Sequence, residues 1–492
     1  MLTDDVDENI DGVPTPAPAA QSDAGSNAAP RRASPLAIFE TGLIVAAVIG
    51  AYVLLPHVIG GDARRRFAAL SALLTGGGAI STKYSLLGPI FAAPFWWLGR
   101  LVATPRAGIG WFNATLFGVC LLCLYVVLRK HVEGRLLRAF LLLLTLASMI
   151  PYHLTQFYGE VFTATLAAAG LALVVLTRRA GGRLAGWLLV ALGVANTPAT
   201  VAGLVVVVGQ RVWERRKLRC ALAIGAALAF VALDNLLQRG SLTNTGYQTD
   251  TNGLSLPDFL GVAGFSTPFF VGLPSILGSF GKGLLFYTPG LFFPLRRKLA
   301  QLAKLGAVSA EVWILYALWL GFTVGMILIY SQWWAWYGGW FWGPRFFLFA
   351  CFPASFALAV WTQRPSSRLW VNLLALGALI LSAWVGVDGI VFGQSDMYVC
   401  TANRYQLEFL CQYRPDYSAL GRPLINLYHY GFSAHFAAIE RIQPGPLVYG
   451  AFIALVSLYL AIPLLRAIAA QSRELTRHYW SVMAELRAGW RL

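Results

Sequence analysis

Apolar runs of roughly 20 residues, enough to cross a bilayer as an α-helix, recur along the chain between short, mostly basic loops. This pattern predicts an all-α integral membrane protein with about 12 transmembrane helices, within a range of roughly 11–13. The predicted spans are 36–55, 108–128, 138–152, 160–177, 183–195, 197–210, 219–237, 284–295, 311–330, 346–362, 369–391 and 446–465.

The basic loops orient these spans, because lysine and arginine concentrate on the cytoplasmic side of a membrane. Arg31 and Arg32 precede the first span and hold the N-terminus in the cytoplasm. Twelve spans then place every basic cluster on that side and both termini in the cytoplasm of a multi-pass inner or plasma membrane protein. The clusters are 129–138, 178–183, 211–219, 296–298, 364–368 and 466–491.

Two segments depart from the regular pattern. Residues 85–104 are apolar enough to cross, but a crossing there would move the basic loop 129–138 outside, and the segment contains Pro89 and Pro94. We interpret it as an interfacial or re-entrant helix in the first extracytoplasmic loop, on the Asp62 side. The segment 183–210 must go out and back within a short length, which predicts a broken hairpin at 196–198.

The same pattern divides the chain into four regions. Residues 1–34 are rich in Asp, Pro, Ala, Ser and Asn without periodicity, which predicts a disordered cytoplasmic tail. Residues 35–365 form the main transmembrane module. Residues 366–470 form C-terminal transmembrane helices with an extracytoplasmic loop at 393–445, and 471–492 form a cytoplasmic tail.

Composition supports a membrane protein and adds little chemistry. The 492 residues are 57% hydrophobic and 12% charged, with a mean hydropathy of +0.62, which excludes an ordinary soluble fold. The net charge of +16 fits basic cytoplasmic loops better than nucleic-acid binding. Four of the six cysteines lie in apolar segments. Cys400 and Cys411 share a polar loop, where a disulfide and two free thiols both stay open.

Polar and aromatic features gather on the predicted extracytoplasmic side. Asp62 follows the first span, Glu160 begins another, and a carboxylate at a membrane surface can act as a base. Cations would stabilise a departing phosphate. The candidates are Arg65, Lys83, Lys282 and Arg345. The alternatives are contact of these cations with lipid headgroups, and a helix-dipole role for Glu160.

Five stretches together resemble a known family. They are GGDARRRFAALSALLTGGGAISTKYSLLGPIFAAPFWWLG after the first span, QFYGEVFTATLAAAGLAL at 156–173, LDNLLQRGSLTNTGY at 233–247, GSFGKGLLFYTPGLFF at 278–293 and WWAWYGGWFWGPRFF at 333–347. In this order they resemble the polyprenyl-phosphate-sugar-dependent glycosyltransferases of the C-type (GT-C) superfamily, which include protein mannosyltransferases and aminoarabinose transferases. The resemblance covers about residues 36–365.

The resemblance implies a catalytic acid in the first extracytoplasmic loop, short helices along the membrane there, and sugar transfer with inversion from a lipid phosphate to a hydroxyl. Asp62 matches that acid and Glu160 matches a functional glutamate. The family often has a second acid directly after the first, where this chain has Ala63. Aromatic residues expected to line the substrate are Tyr158, Tyr247, Tyr287, Trp336 and Trp340, although an interfacial aromatic belt explains the tryptophans equally well.

The sequence therefore predicts a membrane glycosyltransferase whose donor is a polyprenyl-phosphate sugar and whose acceptor is an envelope glycan, lipid or protein. No zinc, haem or nucleotide-binding pattern is present, so no metal ligand is assigned and a divalent metal has no support. The alternatives are a transporter or flippase of a lipid-linked envelope intermediate and a non-catalytic scaffold. A transporter would carry charge pairs near the membrane midplane.

Overall fold

The structure, a computed structural model, describes residues 34–78, 80–215, 218–247, 258–259, 262–339, 341–394, 400, 406–428 and 444–489. Residues 1–33 of the predicted tail 1–34, residues 395–399, 401–405 and 429–443 of the loop 393–445, and Trp340 lie outside the described residues. The described part of the chain is helical apart from one short antiparallel ladder, in which Asp258 pairs with Ala263 and Phe259 with Val262.

The elements follow in chain order. They are α1 Pro35–Val53, α2 Gly61–Leu74, α3 Leu87–Phe91, α4 Ala93–Val102, α5 Pro105–Gly110, α6 Phe112–Leu128, α7 Gly134–Leu146, α8 Ile150–Leu154, α9 Gly159–Leu176, α10 Ala180–Asn196, α11 Val201–Arg215, α12 Leu222–Arg239, β1 Asp258–Phe259, β2 Val262–Ala263, α13 Phe269–Gly278, α14 Leu284–Tyr287, α15 Arg296–Lys304, α16 Ala310–Tyr330, α17 Cys351–Gln363, α18 Leu369–Val391, α19 Glu408–Tyr413 and α20 Pro444–Gly489. Short 3-10 helices cover Pro198–Thr200, Leu218–Ala221, Pro289–Phe292 and Arg345–Ala350.

Eight helical segments in the described part of the chain are long and apolar enough to cross a membrane. They are Pro35–Val53, Pro105–Leu128, Gly159–Leu176, Leu218–Arg239, Ala310–Tyr330, Arg345–Gln363, Leu369–Val391 and Pro444–Arg487. Length and composition thus confirm an all-α integral membrane protein. Three further predicted spans correspond to shorter helices, α7 with 13 residues, α10 with 17 and α11 with 15.

The predicted span 284–295 is not a single helix. It consists of α14, four residues long, and the 3-10 turn Pro289–Phe292, which ends before an extended Phe293. Tyr287 packs on Trp342, with ring centroids 5.5 Å apart, and Phe293 packs on Trp361 at 5.8 Å. The segment therefore runs along α17 as irregular backbone, which is tolerated at membrane depth only where protein surrounds it. The glycine and proline content of this stretch explains why a regular helix does not form.

Both irregular segments of the sequence are interrupted helices in the structure. Residues 85–104 divide into α3, five residues long, and α4, ten residues long. Neither helix alone reaches the roughly 20 residues of a regular crossing, and the interfacial placement of the segment stays a prediction. The hairpin 183–210 breaks where α10 ends at Asn196 and a 3-10 turn begins at Pro198.

The loops separate into two groups by their contacts. In one group, the segment after α1 meets the segment before α9, because the Val58 N–H donates to the Thr155 carbonyl at 2.8 Å. In the other group, the Glu133 N–H donates to the Ala307 carbonyl at 2.8 Å, and Arg364 forms an ion pair with Glu133. The first group contains the acids expected at the site, and the second contains basic loops.

Candidate active site

One arginine joins the two predicted acids. A terminal nitrogen of Arg345 lies 2.7 Å from Asp62 Oδ2, and the other lies 3.6 Å from Glu160 Oε1. The side chain of Arg345 is 9% exposed, that of Glu160 11% and that of Asp62 21%. Sequence positions separated by up to 283 residues thus converge on one guanidinium, and Asp62 is the member most accessible to a substrate.

The first residue of α2, Gly61, places Asp62. Gly61 has a φ of +48°, and a Cβ at this position would lie 3.0 Å from the Phe341 ring. Glycine is therefore required both for the backbone conformation and for the close approach of the ring. Asp62 follows in the first turn of α2, where the helix dipole favours a carboxylate.

Buried amides place Glu160. The Asn113 side chain donates to the carbonyls of Gln156 at 2.6 Å and Tyr158 at 3.1 Å, which fixes the segment leading into α9. Asn196 donates to the Gly159 carbonyl at 2.9 Å. Two amides that are each 1% exposed therefore fix the backbone directly before Glu160.

Aromatic rings and backbone carbonyls hold Arg345 itself. Its Nε donates to the Gly338 carbonyl at 2.8 Å, and its guanidinium lies 4.1 Å from the Phe341 ring centroid and 5.4 Å from that of Tyr158. A planar guanidinium suits both kinds of contact. The predicted substrate-lining residue Tyr158 thus contacts the cation of the site directly.

The surroundings tune the Asp62 carboxyl. Burial acts to raise its pKa, but the charge of Arg345, a hydrogen bond from the Tyr84 hydroxyl and the charge of Arg66 together lower the pKa below its ordinary value. Asp62 is consequently ionised at neutral pH. An ionised carboxylate beside a buried cation can accept a proton once that cation is engaged elsewhere.

The structure favours Arg66 over Arg65 as the second arginine of the site. Arg65 is exposed, whereas Arg66 is 8% exposed and its guanidinium lies 5.0 Å from the Tyr84 ring centroid. A Cβ on Gly159 would lie 2.7 Å from an Arg66 nitrogen, so glycine at 159 makes room for this arginine. The spacing of four residues between Asp62 and Arg66 on one helix face was the available sequence signal.

Other predicted residues divide into those near the acids and those in the packed interior. Lys83 is half-buried, with its ammonium 5.8 Å from the Tyr84 ring and 5.7 Å from the Tyr247 ring. Burial and the charge of Asp62 raise the pKa of Tyr247, which places this tyrosine near the acid as well. These two residues adjoin the Asp62 side of the site.

Tyr287 and Trp336 lie in the interior instead. Tyr287 is 1% exposed and packs on Trp342, while Trp336 is 4% exposed and packs on Tyr337 and Tyr413. Their roles as substrate-lining residues stay predictions. Lys282, 2% exposed, donates to the carbonyls of Gly339 at 2.9 Å and Gly343 at 3.1 Å, and also to that of Phe341.

Several residues that the sequence analysis did not single out position the site. Asp234 of α12 accepts a hydrogen bond from the Leu86 N–H at 3.0 Å, which ties the start of α3 to α12. Asn196 accepts one from the Gly88 N–H at 3.1 Å and donates to the Gly159 carbonyl, so it anchors α3 beside α9. Tyr84 bonds Asp62. Asn196 lies at the predicted break of the 183–210 hairpin, but nothing in the local sequence marks its partners.

Two further features bear on the chemistry available. Among the described residues, no group of three or more His, Cys, Asp and Glu side chains gathers as a metal site would require. Cys400 and Cys411 are paired as a disulfide, with their Cα atoms 5.9 Å apart. The disulfide, which the sequence left open, restrains the chain beside α19.

Comparison with known proteins gives a likeness of structure alone. No family model and no curated protein matches the sequence. The chain is similar to a crystal structure of ArnT from Cupriavidus metallidurans in the apo state, with 15% identity, a TM-score of 0.49, and coverage of 88% of this chain and 78% of that chain. It is also similar to the same protein bound to undecaprenyl phosphate, with 16% identity, a TM-score of 0.48, and coverage of 87% and 77%.

Proposed function

We propose that this protein is a membrane glycosyltransferase that moves a sugar from a polyprenyl-phosphate donor to a hydroxyl acceptor, with inversion at the sugar carbon. The observation that carries the proposal is the sharing of Arg345 between Asp62 and Glu160 at the starts of two helices. The motif order in the sequence supports the same chemistry. The acceptor would be an envelope glycan, a lipid or a protein.

Charge at the site suits the proposed reaction. Asp62 and Glu160 are balanced by Arg345 and Arg66, with Lys83 half-buried nearby. The acceptor oxygen forms a bond to the anomeric carbon, its proton passes to Asp62, and the bond between that carbon and the phosphate oxygen breaks. The departing lipid phosphate gains negative charge, which fixed arginines stabilise without rearrangement.

Binding of the donor would also prepare the base. A phosphate that reaches Arg345 or Arg66 competes with Asp62 for the guanidinium and weakens the ion pair at 2.7 Å. The carboxylate then regains affinity for a proton, because the nearest cation no longer stabilises its charged form. Asp62 would thus act as a base chiefly when the donor is present, which limits unproductive chemistry.

Asp62→Asn tests the proposal with purified protein in nanodiscs and a synthetic polyprenyl-phosphate sugar. The amide keeps the shape and loses the basicity, so we expect transfer to fall about 10²–10⁴-fold while donor binding persists. Asp416→Asn, on an exposed ion pair with Arg414, serves as the matched control and should keep the wild-type rate. Transfer by Asp62→Asn at the wild-type rate would rule out the proposed base.

A transporter makes a different prediction in the same preparation. Arg138 and Glu40 form a buried ion pair, which is the kind of feature that a transporter requires. The pair lies in the second turn of α1 and the first turns of α7 rather than at the middle of either helix. Vesicles in which wild-type protein moves the donor across the bilayer without transferring sugar would replace our proposal with transport.

We further propose that the site faces away from the cytoplasm in the inner or plasma membrane, with both termini cytoplasmic. Arg64 beside the site and Lys130 in a basic loop are both exposed. In intact cells, Arg64→Cys should react with an impermeant thiol reagent and Lys130→Cys should not. The reverse labelling pattern would invert the orientation.

A further inference from the structure

The segment that leads into Arg345 lies outside regular secondary structure in its described part. Residues 338–345, here called the Arg345 loop, connect the turns after α16 to the 3-10 helix Arg345–Ala350. Three glycines in it, at 338, 339 and 343, have φ between 67° and 77°. Before the 3-10 helix begins at Arg345, no helix or strand fixes the described residues of this loop, so side chains from elsewhere must set its conformation.

Lys282 donates hydrogen bonds to three backbone carbonyls of the Arg345 loop. Its Nζ donates to the carbonyls of Gly339 at 2.9 Å, of Gly343 at 3.1 Å and of Phe341 between them. The three acceptors belong to alternate residues, so one nitrogen spans five residues of backbone. An ammonium has three N–H donors, whereas a neutral amine has two, and only the charged form satisfies this arrangement.

The lysine is placed firmly enough to act as a fixed point. It is 2% exposed. The flanking Gly281 donates its N–H to the Gln412 carbonyl at 3.0 Å, and Gly283 donates to the Ser279 carbonyl at 2.7 Å. A Cβ on Gly281 would lie 1.7 Å from the Cys411 carbonyl oxygen, so the backbone on both sides of Lys282 is closely packed.

We infer that Lys282 is a positioning residue whose positive charge holds the Arg345 loop in the conformation that presents Arg345 to Asp62 and Glu160. The role of the presented arginine in sugar transfer rests on the proposed function, but the lysine's hold on the loop does not. This role differs from contact with the donor phosphate, because all three donors of the ammonium are already used and its side chain is enclosed.

The charge on Lys282 is sensitive to pH near neutrality. Burial and the nearby charge of Arg345 lower its pKa to about 7, while the charge of Glu408 opposes this change. His153 also lies within electrostatic range, and burial holds the pKa of that imidazole at about 3, so it is uncharged throughout. Raising the pH from 6 to 9 therefore removes the third donor from the loop.

Hydrogen exchange of wild-type protein in nanodiscs tests this inference without a mutation. After correction for the intrinsic dependence on pH, peptides covering residues 338–345 should lose about tenfold or more in protection between pH 6 and pH 9. The free energy of unfolding of the whole protein should instead increase with pH through the contribution of Lys282. A lowered folded-state pKa means that the unfolded chain binds the additional proton between about pH 7 and 10.5, so this group makes stability rise with pH there.

Variants separate charge from packing. Lys282→Met keeps the length and removes the charge, so loop protection should be low at both pH values. Lys298→Met is the matched control, since Lys298 also has a pKa lowered by burial, to about 8, but packs on Trp361 rather than on the loop. The control should keep both the loop protection and its dependence on pH.

The outcomes distinguish this inference from the proposed function. Protection of 338–345 that is independent of pH in wild type and unchanged in Lys282→Met would overturn the positioning role. Weaker donor binding by Lys282→Met with unchanged loop protection would likewise overturn it, in favour of a phosphate ligand. Absence of sugar transfer by the wild-type protein would refute the proposed function. The hydrogen-exchange result would still test the positioning role of Lys282 independently.

Discussion

In the described part of the chain, two buried arginine–carboxylate pairs join helices, and they differ in how completely the carboxylate oxygens are paired. Arg138 Nε lies 2.6 Å from Glu40 Oε2, and the Tyr459 hydroxyl donates to the other carboxylate oxygen at 2.8 Å. Glu40 is 3% exposed, so α1, α7 and α20 meet at a carboxylate with both oxygens occupied. This pair has no free capacity for a ligand and serves to hold the helices together.

The pair at Arg345 is shared and partly open. One guanidinium serves Asp62 at 2.7 Å and Glu160 at 3.6 Å, and the Asp62 side chain is 21% exposed. A buried ion pair by itself is weak evidence for stability or function, because desolvation opposes its attraction. The comparison shows that accessibility and incomplete pairing, rather than buried charge, mark the site where a substrate could compete.

Arg345→Gln should produce the largest effect. The amide leaves Asp62 and Glu160 without the cation that they share, with only Arg66 still stabilising the charge of Asp62, and it removes a donor for the departing phosphate. We expect transfer to fall about 10²–10³-fold or more, with weaker donor binding. Breaking a buried pair also costs about 3–5 kcal/mol of stability. Transfer rate, donor affinity and thermal unfolding in nanodiscs would be measured together, and a normal donor affinity would contradict the proposed role in phosphate binding.

Arg138→Gln should separate stability from activity. The variant leaves Glu40 buried with only the Tyr459 hydroxyl as partner, and we expect a loss of about 3–5 kcal/mol in the free energy of unfolding. Transfer by the fraction that remains folded should match wild type. The control is Glu40→Gln in the Arg138→Gln background, which removes the unpaired charge and should recover part of the stability. A loss of donor binding in the folded fraction would remove the distinction between the two pairs.

The sequence predicted the membrane-spanning class and the main acids because both depend on local features. Apolar runs identify spans, and Asp62 and Glu160 begin helices directly beyond such runs. Span 284–295 was predicted as a single helix because its apolar composition indicates burial. Apolar composition does not determine the backbone conformation, which here is a short helix followed by a 3-10 turn. Glycine and proline within it were the signal against a single helix.

The pairing of the site could not be predicted from local features. Arg345 reaches acids 283 and 185 residues away in the chain, and Asn196 bonds the start of α9 from the far end of α10. No alternation or spacing encodes such contacts. Lys282 illustrates the same limit, since a lysine between two glycines suggested a phosphate site, while the fold uses its three donors on backbone carbonyls.

Arg66→Lys should reduce sugar transfer moderately. It tests whether the buried Arg66 and the exposed Arg65 differ in their contribution to the reaction. Lysine keeps the charge but loses the planar contact with Tyr84 and the bond to the Ser85 carbonyl at 3.3 Å. We expect about a tenfold loss in transfer, mainly through donor affinity. Arg65→Lys on the neighbouring exposed position is the matched control and should be neutral. Equal effects of the two variants would mean that burial at position 66 has no bearing on the reaction.

The smallest expected effect concerns the acid limit of activity. The pKa of Asp62 is lowered from 3.8 despite burial, with Arg345 the larger and Arg66 the smaller of the two cationic contributions. A lowered pKa keeps the carboxylate ionised to lower pH, so the acid limb of kcat/KM should lie below 3.8 in wild type. Arg66→Gln removes the smaller of the two cationic contributions and should move this limb upward. Arg129→Gln, in an exposed basic loop, should leave the limb in place. A limb that moves downward in Arg66→Gln would show that this arginine does not stabilise the charged form of Asp62.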